Sequence, residues 1–295
     1  MTVRDALREG AAALAGTETP FLDASLLLAD SLGVDTSKLL ASSPDAVGAP
    51  VLESYRSRVA ERARGVPAAY LVGYKEFWGR RFAVDGRVLV PRPDTETLVE
   101  VALRIGDAIA AAHPPRVHEA CAGSGCVAVS LAAERPGWEV SASDLSEGAL
   151  EVARGNADAI LGPAGGGRPG GPLAFLRSDL LSAVLGGAAS GGFDLVVANP
   201  PYVPSDEARA LLGLGWSEPL LALDGGEDGL DLLRRLVPEA SRALAPGGAL
   251  LVEADGGQAA AVAELFRASR FTDVEGQGDL GGRLRVTSGR MPWTS

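Results

Sequence analysis

The spacing of hydrophobic positions changes character twice along the chain. Up to about residue 75 it is helical: Leu22, Leu26 and Ala29 form one apolar stripe and Val51, Tyr55, Val59 and Ala63 another. Pro20, Gly33, Pro44, Gly48 and Pro50 punctuate this region into several helices. From Lys75 to Val90 the pattern becomes short apolar runs: Phe77-Trp78, then Arg81-Phe82-Ala83-Val84, then Val88-Leu89-Val90. The Asp85-Gly86 pair between the last two predicts a hairpin turn. After Pro91, helical patterns and apolar runs alternate. A helix is predicted from about Thr95 to Ala112, capped by Asp94 or Thr95. Strands are predicted at Val117–Glu119, Glu139–Ala142, Ala174–Arg177, Leu195–Ala198 and Ala249–Glu253, with helices between them. That alternation specifies an α/β fold with a parallel, doubly wound sheet. Phe271–Val274 and Leu284–Thr287 have no helix between them and predict an antiparallel edge. The expected organisation is a helical domain over 1–74, a hairpin linker over 75–91 and an α/β domain over 92–295. Gly162–Pro172, almost all Gly and Pro, reads as a surface loop without chemistry.

The strand ending Leu195-Val196-Val197-Ala198 runs straight into Asn199-Pro200-Pro201-Tyr202. Two prolines cannot continue a ladder or a helix, so a rigid turn sits at the carboxyl edge of the sheet, where open α/β folds bind ligands. Asn199 contributes a side-chain carbonyl, Pro200 a backbone carbonyl free of any strand partner, and Tyr202 a flat ring. Acceptors beside a flat wall suit a planar amino group; the plain alternative is a strand-ending turn.

A second constellation precedes it. His118-Glu119-Ala120-Cys121-Ala122-Gly123-Ser124-Gly125-Cys126 follows the first strand of the α/β region and opens a helix over about Val127–Ala133. Small residues let the backbone approach a ligand, and the helix start offers free N–H groups. No Gly-Lys-Ser/Thr follows, so this is not a phosphate-cradling loop. Asp144 ends the next strand about 20 residues on and can accept from both hydroxyls of a ribose. A nicotinamide cofactor and S-adenosylmethionine both carry that ribose. Asp179, ending the third strand, either reaches an adenine amino group or caps the helix before Leu180-Leu181. The Asn-Pro-Pro-Tyr turn separates the cofactors: a rigid amide-acceptor turn serves amino-group methyl transfer, not hydride transfer. The only histidines, His113 and His118, read as structural residues at a helix-to-strand connection.

Composition narrows the classes further. Apolar residues make up 46% of 295, ample for a core. No basic segment precedes an apolar run at the start and no run is long enough to span a bilayer, so a soluble cytoplasmic protein is expected. Cys121 and Cys126 are the only cysteines and make neither a disulfide framework nor a zinc set, and no metal is expected. The net charge of −11 opposes direct DNA binding. Residues 53–92 carry nine bases against four acids, +5, leaving −16 for the rest. That segment is either a solvated helix face or a docking surface for an acidic or RNA-containing partner.

Several motifs resemble the release-factor glutamine N5-methyltransferases, the HemK/PrmC family, over nearly the whole length. They are Gly65-Val66-Pro67-Ala68-Ala69-Tyr70-Leu71-Val72-Gly73, Phe77-Trp78-Gly79, Val90-Pro91-Arg92-Pro93-Asp94-Thr95-Glu96, Gly123-Ser124-Gly125, Asp144-Leu145-Ser146, Asn199-Pro200-Pro201-Tyr202-Val203, Glu218-Pro219 and Leu223–Leu230. The resemblance implies a helical N-terminal domain that recognises substrate, a hairpin and a class I, Rossmann-like methyltransferase domain. It implies S-adenosylmethionine as cofactor, S-adenosylhomocysteine as product, and the glutamine of the Gly-Gly-Gln loop of peptide chain release factors as acceptor. By motif, Cys121, Ala122, Gly123, Ser124 and Gly125 would line the methionine part, Asp144 the ribose, and Asp179 and Leu180 the adenine. Asn199, Pro200, Pro201 and Tyr202 would grip the glutamine amide, with Arg92 and Glu96 in a loop near the same pocket. Gly256-Gly257-Gln258 repeats the target triplet by coincidence. The family usually has Asp-Leu-Gly-Thr-Gly where this chain has Glu119-Ala120-Cys121-Ala122-Gly123, and Glu-Ile-Gly where it has Glu253-Ala254-Asp255. Those departures leave open a paralogue acting on a small-molecule amide or amine. Separate alternatives are a nucleic-acid amino-methyltransferase, which the acidic charge and the short N-terminal region oppose, and a binding module without transferase activity.

Overall fold

The computed structural model describes residues 1–41, 43–162, 173–185 and 192–293. The Gly/Pro-rich stretch after Gly162 lies outside the described residues as far as Gly171-Pro172. The chain divides into two compact units, Met1–Tyr74 with Ala210–Glu218, and Lys75–Arg209 with Pro219–Ser295. Among the described residues no helix is long and apolar enough to cross a membrane.

The first unit contains α1 (Val3–Ala13), α2 (Pro20–Leu32), α3 (Thr36–Ala41), α4 (Ala49–Ala63) and α5 (Ala68–Val72). Its core takes only part of the predicted stripes: Ala29, Tyr55 and Val59 are buried with Val3, Leu7 and Leu14, but α2 turns Ala24, Leu27 and Leu28 inward and leaves Leu22 66% exposed, because its buried face is rotated from the predicted one. Pro lies in the first turn of α2 and of α4, and Gly33 ends α2 in the left-handed conformation that only glycine adopts without strain. The bases of the 53–92 segment are largely paired within their own units. Arg56 meets Glu9 at 2.7 Å, Arg62 meets Asp23 at 2.7 Å and Arg58 meets Asp30; in the second unit, Arg80 meets Glu134 at 2.9 Å.

The second unit opens with a hairpin, β1 (Tyr74–Phe77) and β2 (Arg80–Ala83), whose turn is Trp78-Gly79 and not Asp85-Gly86. Both turn residues have positive φ, 50° and 68°, as a tight two-residue hairpin requires. The tryptophan is held there by tertiary bonds: its N–H donates to Glu96 at 2.8 Å and its indole N–H to Glu134 at 3.1 Å. Asp85-Gly86 does form a turn, with the Val88 N–H donating to the Asp85 carbonyl, but no strand follows it.

Helix α6 (Glu96–Ala110) follows a 3₁₀ turn over Pro93–Thr95, and Thr95 makes no side-chain cap. Seven strands then form one sheet in the order β5-β4-β3-β6-β7-β9-β8. They are β3 (Arg116–Ala120), β4 (Glu139–Asp144), β5 (Leu173–Arg177), β6 (Phe193–Ala198), β7 (Leu244–Glu253), β8 (Thr272–Gly278) and β9 (Leu284–Arg290). The first five are parallel, and β9 inserts antiparallel between β7 and β8. The connecting helices are α7 (Cys126–Glu134), α8 (Glu147–Leu161), α9 (Ser182–Leu185), α10 (Ser205–Gly213), α11 (Asp231–Ala243) and α12 (Ala259–Ala268). The central strands are buried on both faces, so they read as unbroken apolar runs. Leu195, Val197 and Leu251 pack with α6 and α7 residues, while Val196, Ala198 and Val252 pack with α11 and α12 residues. His118 lies in the middle of β3, not at a connection. It is fully buried, 2.8 Å from Ser141 Oγ and 3.0 Å from Ser143 Oγ.

Asn156 of α8 ties three pieces together. Its Oδ1 accepts from the Ala83 N–H at 2.7 Å, and its Nδ2 donates to the Ala83 carbonyl at 3.1 Å and to the Ser124 carbonyl at 2.9 Å. The hairpin and the glycine-rich loop therefore share one buried anchor. Asn156→Ala is expected to cost about 2–4 kcal/mol, because buried backbone groups lose their partner. Urea denaturation of wild type and variant measures it.

Candidate active site

Strand register decides what the site contains. Ala120 of β3 pairs with Ser143 of β4 and Ala198 of β6, and Ala198 with Val252 of β7. One residue further on, Asp144, Cys121, Asn199 and Glu253 form a row across four adjacent strand ends. The row crosses the point where strand order reverses, between β3 and β6, and the main cleft of the second unit opens there.

On one side of the cleft lies the loop after β3. Asp144 Oδ2 accepts from the Gly123 N–H at 2.9 Å, and Oδ1 accepts from the Ser146 N–H at 2.8 Å. Cys121, Gly123 and Gly125 all have positive φ, 60°, 54° and 75°. A left-handed conformation costs a non-glycine residue roughly 1–2 kcal/mol, so Cys121 occupies a place that favours glycine. The loop nonetheless closes, with Ala122 donating to the Ser143 carbonyl at 3.0 Å and Gly125 to the Ala122 carbonyl at 2.7 Å. Glu119 accepts from the Ala128 N–H of α7 at 2.8 Å, satisfying one free donor of the helix start. Cys121, Ala122, Gly123, Ser124, Asp144, Asp179 and Leu180 all face the cleft; Gly125 does not line it and serves as the N-cap of α7. The Asp179 carboxylate meets Arg235 at 2.7 Å and caps no helix; the Ser178 hydroxyl takes the Ala183 N–H instead.

The other side is built from the turn after β6 and the turn before α6. Asn199 Nδ2 donates to Thr95 Oγ1 at 3.1 Å, while its Oδ1 accepts nothing among the described residues. Asn199, Pro201, Arg92 and Thr95 line the cleft. Pro200 and Tyr202 do not: Pro200 is buried, and the Tyr202 hydroxyl turns to Glu253 Oε1 at 3.4 Å. Glu96 also stays out of the cleft, because its carboxylate holds the Trp78 N–H. A clasp keeps the turn in place. Val203 donates to the Leu223 carbonyl at 3.0 Å, Gly225 donates to the Val203 carbonyl at 2.8 Å, and Gln258 Nε2 donates to the Tyr202 carbonyl at 3.0 Å. A Cβ on Gly225 would sit 2.8 Å from the Pro201 carbonyl, so only glycine fits. The amide of Gln258, in the Gly-Gly-Gln triplet of this chain, is thus spent on structure.

Thr95 and Glu253 are the site residues that sequence reasoning missed as such. Thr95 reads as a helix cap, but its hydroxyl bonds to Asn199 and to the Glu253 carboxylate. The one signal for Glu253 in the sequence is a charge ending the apolar run Ala249–Val252. Burial raises the carboxyls that floor the site: Glu119 up to about 8 and Glu253 up to about 7. Burial raises Asp144 too, against the N–H bonds it accepts, and pushes both thiols up. His118 is driven the other way, down to about 4, so the ring is held neutral.

The seven-stranded sheet with its antiparallel end pair and a ligand cleft at the switch point defines a class I methyltransferase. The hMettl16 catalytic domain, solved with the MAT2A 3'UTR hairpin 6, matches the fold with a TM-score of 0.54 at 14% identity, covering 81% of this chain and 82% of that one. Residues 5–73 match the PrmC N-terminal domain and residues 107–213 the methyltransferase small domain. A release factor glutamine methyltransferase of Burkholderia pseudomallei is 43% identical over 271 residues, 92% of each chain. Another, of Cereibacter sphaeroides, is 39% identical over 99% of each. The chain belongs to the release factor glutamine methyltransferase, or HemK/PrmC, family.

Because Glu119 keeps its proton when folded, its contribution to stability is full below the unfolded value of 4.5 and is lost as pH rises through about 8. Glu119→Gln is expected to gain on wild type by at least about 1 kcal/mol between pH 5 and pH 8, the equivalent of one pKa unit. Thermal melts across that range measure the difference.

Proposed function

We propose that this protein transfers the methyl group of S-adenosylmethionine to the side-chain amide nitrogen of the Gly-Gly-Gln glutamine of peptide chain release factors. The observation that carries the reading is Asn199, with its Nδ2 engaged by Thr95 and its Oδ1 unclaimed, in register with Asp144 across the switch point. The cleft residues fit the cofactor. The Asp144 carboxylate is held by backbone N–H groups of Gly123, Ser146 and Leu145 at the cleft wall, and its remaining acceptor capacity would take ribose hydroxyls. Cys121, Ala122, Gly123 and Ser124 would hold the methionine portion, and Leu180, with Asp179 beside it, the adenine. Bound there, the cofactor supplies an electrophilic sulfonium methyl.

The acceptor is a poor nucleophile, because an amide lone pair is delocalised into its carbonyl. Asn199 Oδ1 would accept one of its N–H bonds from the cleft wall, and the backbone carbonyl of Pro200, whose ring is buried behind that wall, would accept the other, which would turn the lone pair toward the methyl. The same two dipoles stabilise positive charge as it develops on nitrogen, and because they are fixed they do not reorganise during the reaction. Pro200-Pro201 supplies that rigidity through locked φ angles, and Tyr202 secures the turn from behind through Glu253. Arg92, which lines the cleft, would meet the incoming loop. Neither a metal nor a strong base is needed for this displacement.

Mass spectrometry of a release factor incubated with the protein and methyl-labelled cofactor should show one added methyl on the Gly-Gly-Gln glutamine. A factor with that glutamine changed to alanine should gain none. Lack of transfer to the intact factor by folded, cofactor-binding protein would refute the reading. Asn199→Ala should lower kcat about 10²–10³-fold, the usual effect of removing one preorganised dipole. Asp144→Ala should instead weaken cofactor binding, read by calorimetry.

A further inference from the structure

Behind Asn199 lies a polar chain whose role in orienting the Asn199 amide the methyl transfer just described leaves unassigned. Asn199 Nδ2 donates to Thr95 Oγ1 at 3.1 Å, the Thr95 hydroxyl bonds to the Glu253 carboxylate, and the Tyr202 hydroxyl reaches Glu253 Oε1 at 3.4 Å. Thr95 is 2% exposed and Glu253 1%. Glu253 Oε2 has no hydrogen-bond partner among the described residues. A buried carboxylate with an unsatisfied oxygen costs about 1–3 kcal/mol, so packing alone does not account for an acid at this strand end. Its register does place it one strand from Asn199. Asp94 from the turn before α6 and Arg285 from β9 complete its charged surroundings.

Hydrogen-bond polarity gives the carboxylate a task. An ionised carboxylate only accepts, whereas a hydroxyl both donates and accepts. Above about pH 7, where Glu253 is ionised, it takes the Thr95 proton and leaves a Thr95 lone pair toward Asn199. Only the NH₂ end of the Asn199 amide can satisfy that lone pair, so the C=O end must face the cleft. The two ends of a carboxamide are nearly identical in shape, and packing cannot choose between them. An Asn199 flipped by 180° would present N–H to the N–H of a substrate amide and repel it.

We propose that Thr95 and Glu253 are positioning residues that fix the orientation of the Asn199 amide, and so make this site an acceptor of amide N–H donors. The inference rests on the methyl-transfer reading for its kinetics but not for its structural readout. Glu253 sets the direction, Thr95 transmits it, and of these three only Asn199 bonds to the substrate amide.

The test uses full-length protein, with Thr95→Val, Thr95→Ser and Glu253→Gln variants. Thr95→Val keeps shape but removes both hydrogen bonds, and should lower kcat on a release factor about 10–100-fold, less than loss of the dipole itself. Its S-adenosylhomocysteine affinity should stay within about threefold, and Thr95→Ser should restore most of kcat, on the ordinary non-additive scale of such networks. Glu253→Gln, whose amide can donate to Thr95, should let the chain reverse and lower kcat likewise. Selective ¹⁵N-Asn labelling reads the geometry directly. The Asn199 side-chain NH₂ should exchange slowly in wild type and Thr95→Ser, and quickly in Thr95→Val. Equal kcat in Thr95→Val and wild type, or a Thr95→Ser protein as poor as Thr95→Val, would overturn the proposal. If Thr95→Val does not fold, wild-type-like kcat and exchange in Glu253→Gln would overturn it. If wild type leaves release factors unmethylated, the substrate reading fails, while the exchange data still decide the orientation.

Discussion

The register of four parallel strands is the constraint on which the rest of the site depends. Residues at equal height on adjacent strands are about 4.8 Å apart, so a row of strand ends places side chains within reach of one ligand. Here the row is Asp144, Cys121, Asn199 and Glu253, of which the first three line the cleft and Glu253 lies behind Asn199. A shift of one residue in any strand would turn its member to the other face and exchange a functional group for a core aliphatic. The unbroken apolar packing on both faces makes such a shift costly, so core energetics and site geometry are one requirement.

The elements that hold this row are polar and buried or half-buried, and each binds backbone that would otherwise be unsatisfied. Asn156 holds the Ala83 and Ser124 backbones, Asp144 holds Gly123, Glu119 holds the start of α7 and Gln258 holds the Tyr202 carbonyl. Low dielectric strengthens each of these bonds and penalises their loss. The same burial explains why Glu119 and Glu253 are raised and His118 lowered. Each group is pushed toward its neutral form, and Glu253 retains an unsatisfied oxygen as the residual cost.

Cys121 illustrates how such a scaffold tolerates change. Its backbone is left-handed, where glycine is at home, yet the loop bonds beside it are intact. The cost of one strained residue is small beside the packing of β3, so the loop keeps its path. Family membership at around 40% identity over nearly the full length is consistent with that.

Much of this is legible in the chain itself. Unbroken apolar runs alternating with helical stripes specify the parallel sheet, and the lack of a helix between the last two runs specifies the antiparallel edge, because hydrophobic period is a local property. Asn199, Asp144 and the glycine-rich loop stand out because each lies at the end of a strand. Turn propensity is local too, and it favours Asp85-Gly86 for the hairpin. Tertiary bonds from Trp78 to Glu96 and Glu134 override that preference, and the first of them takes Glu96 out of the cleft. Tyr202 turning away from the cleft, Asp179 pairing with Arg235, and the Thr95–Glu253 link behind Asn199 join residues from 51 to 158 positions apart. No periodicity or motif encodes such pairs. They are decided when strand register and helix packing bring the partners together, and burial then makes each hydrogen bond obligatory.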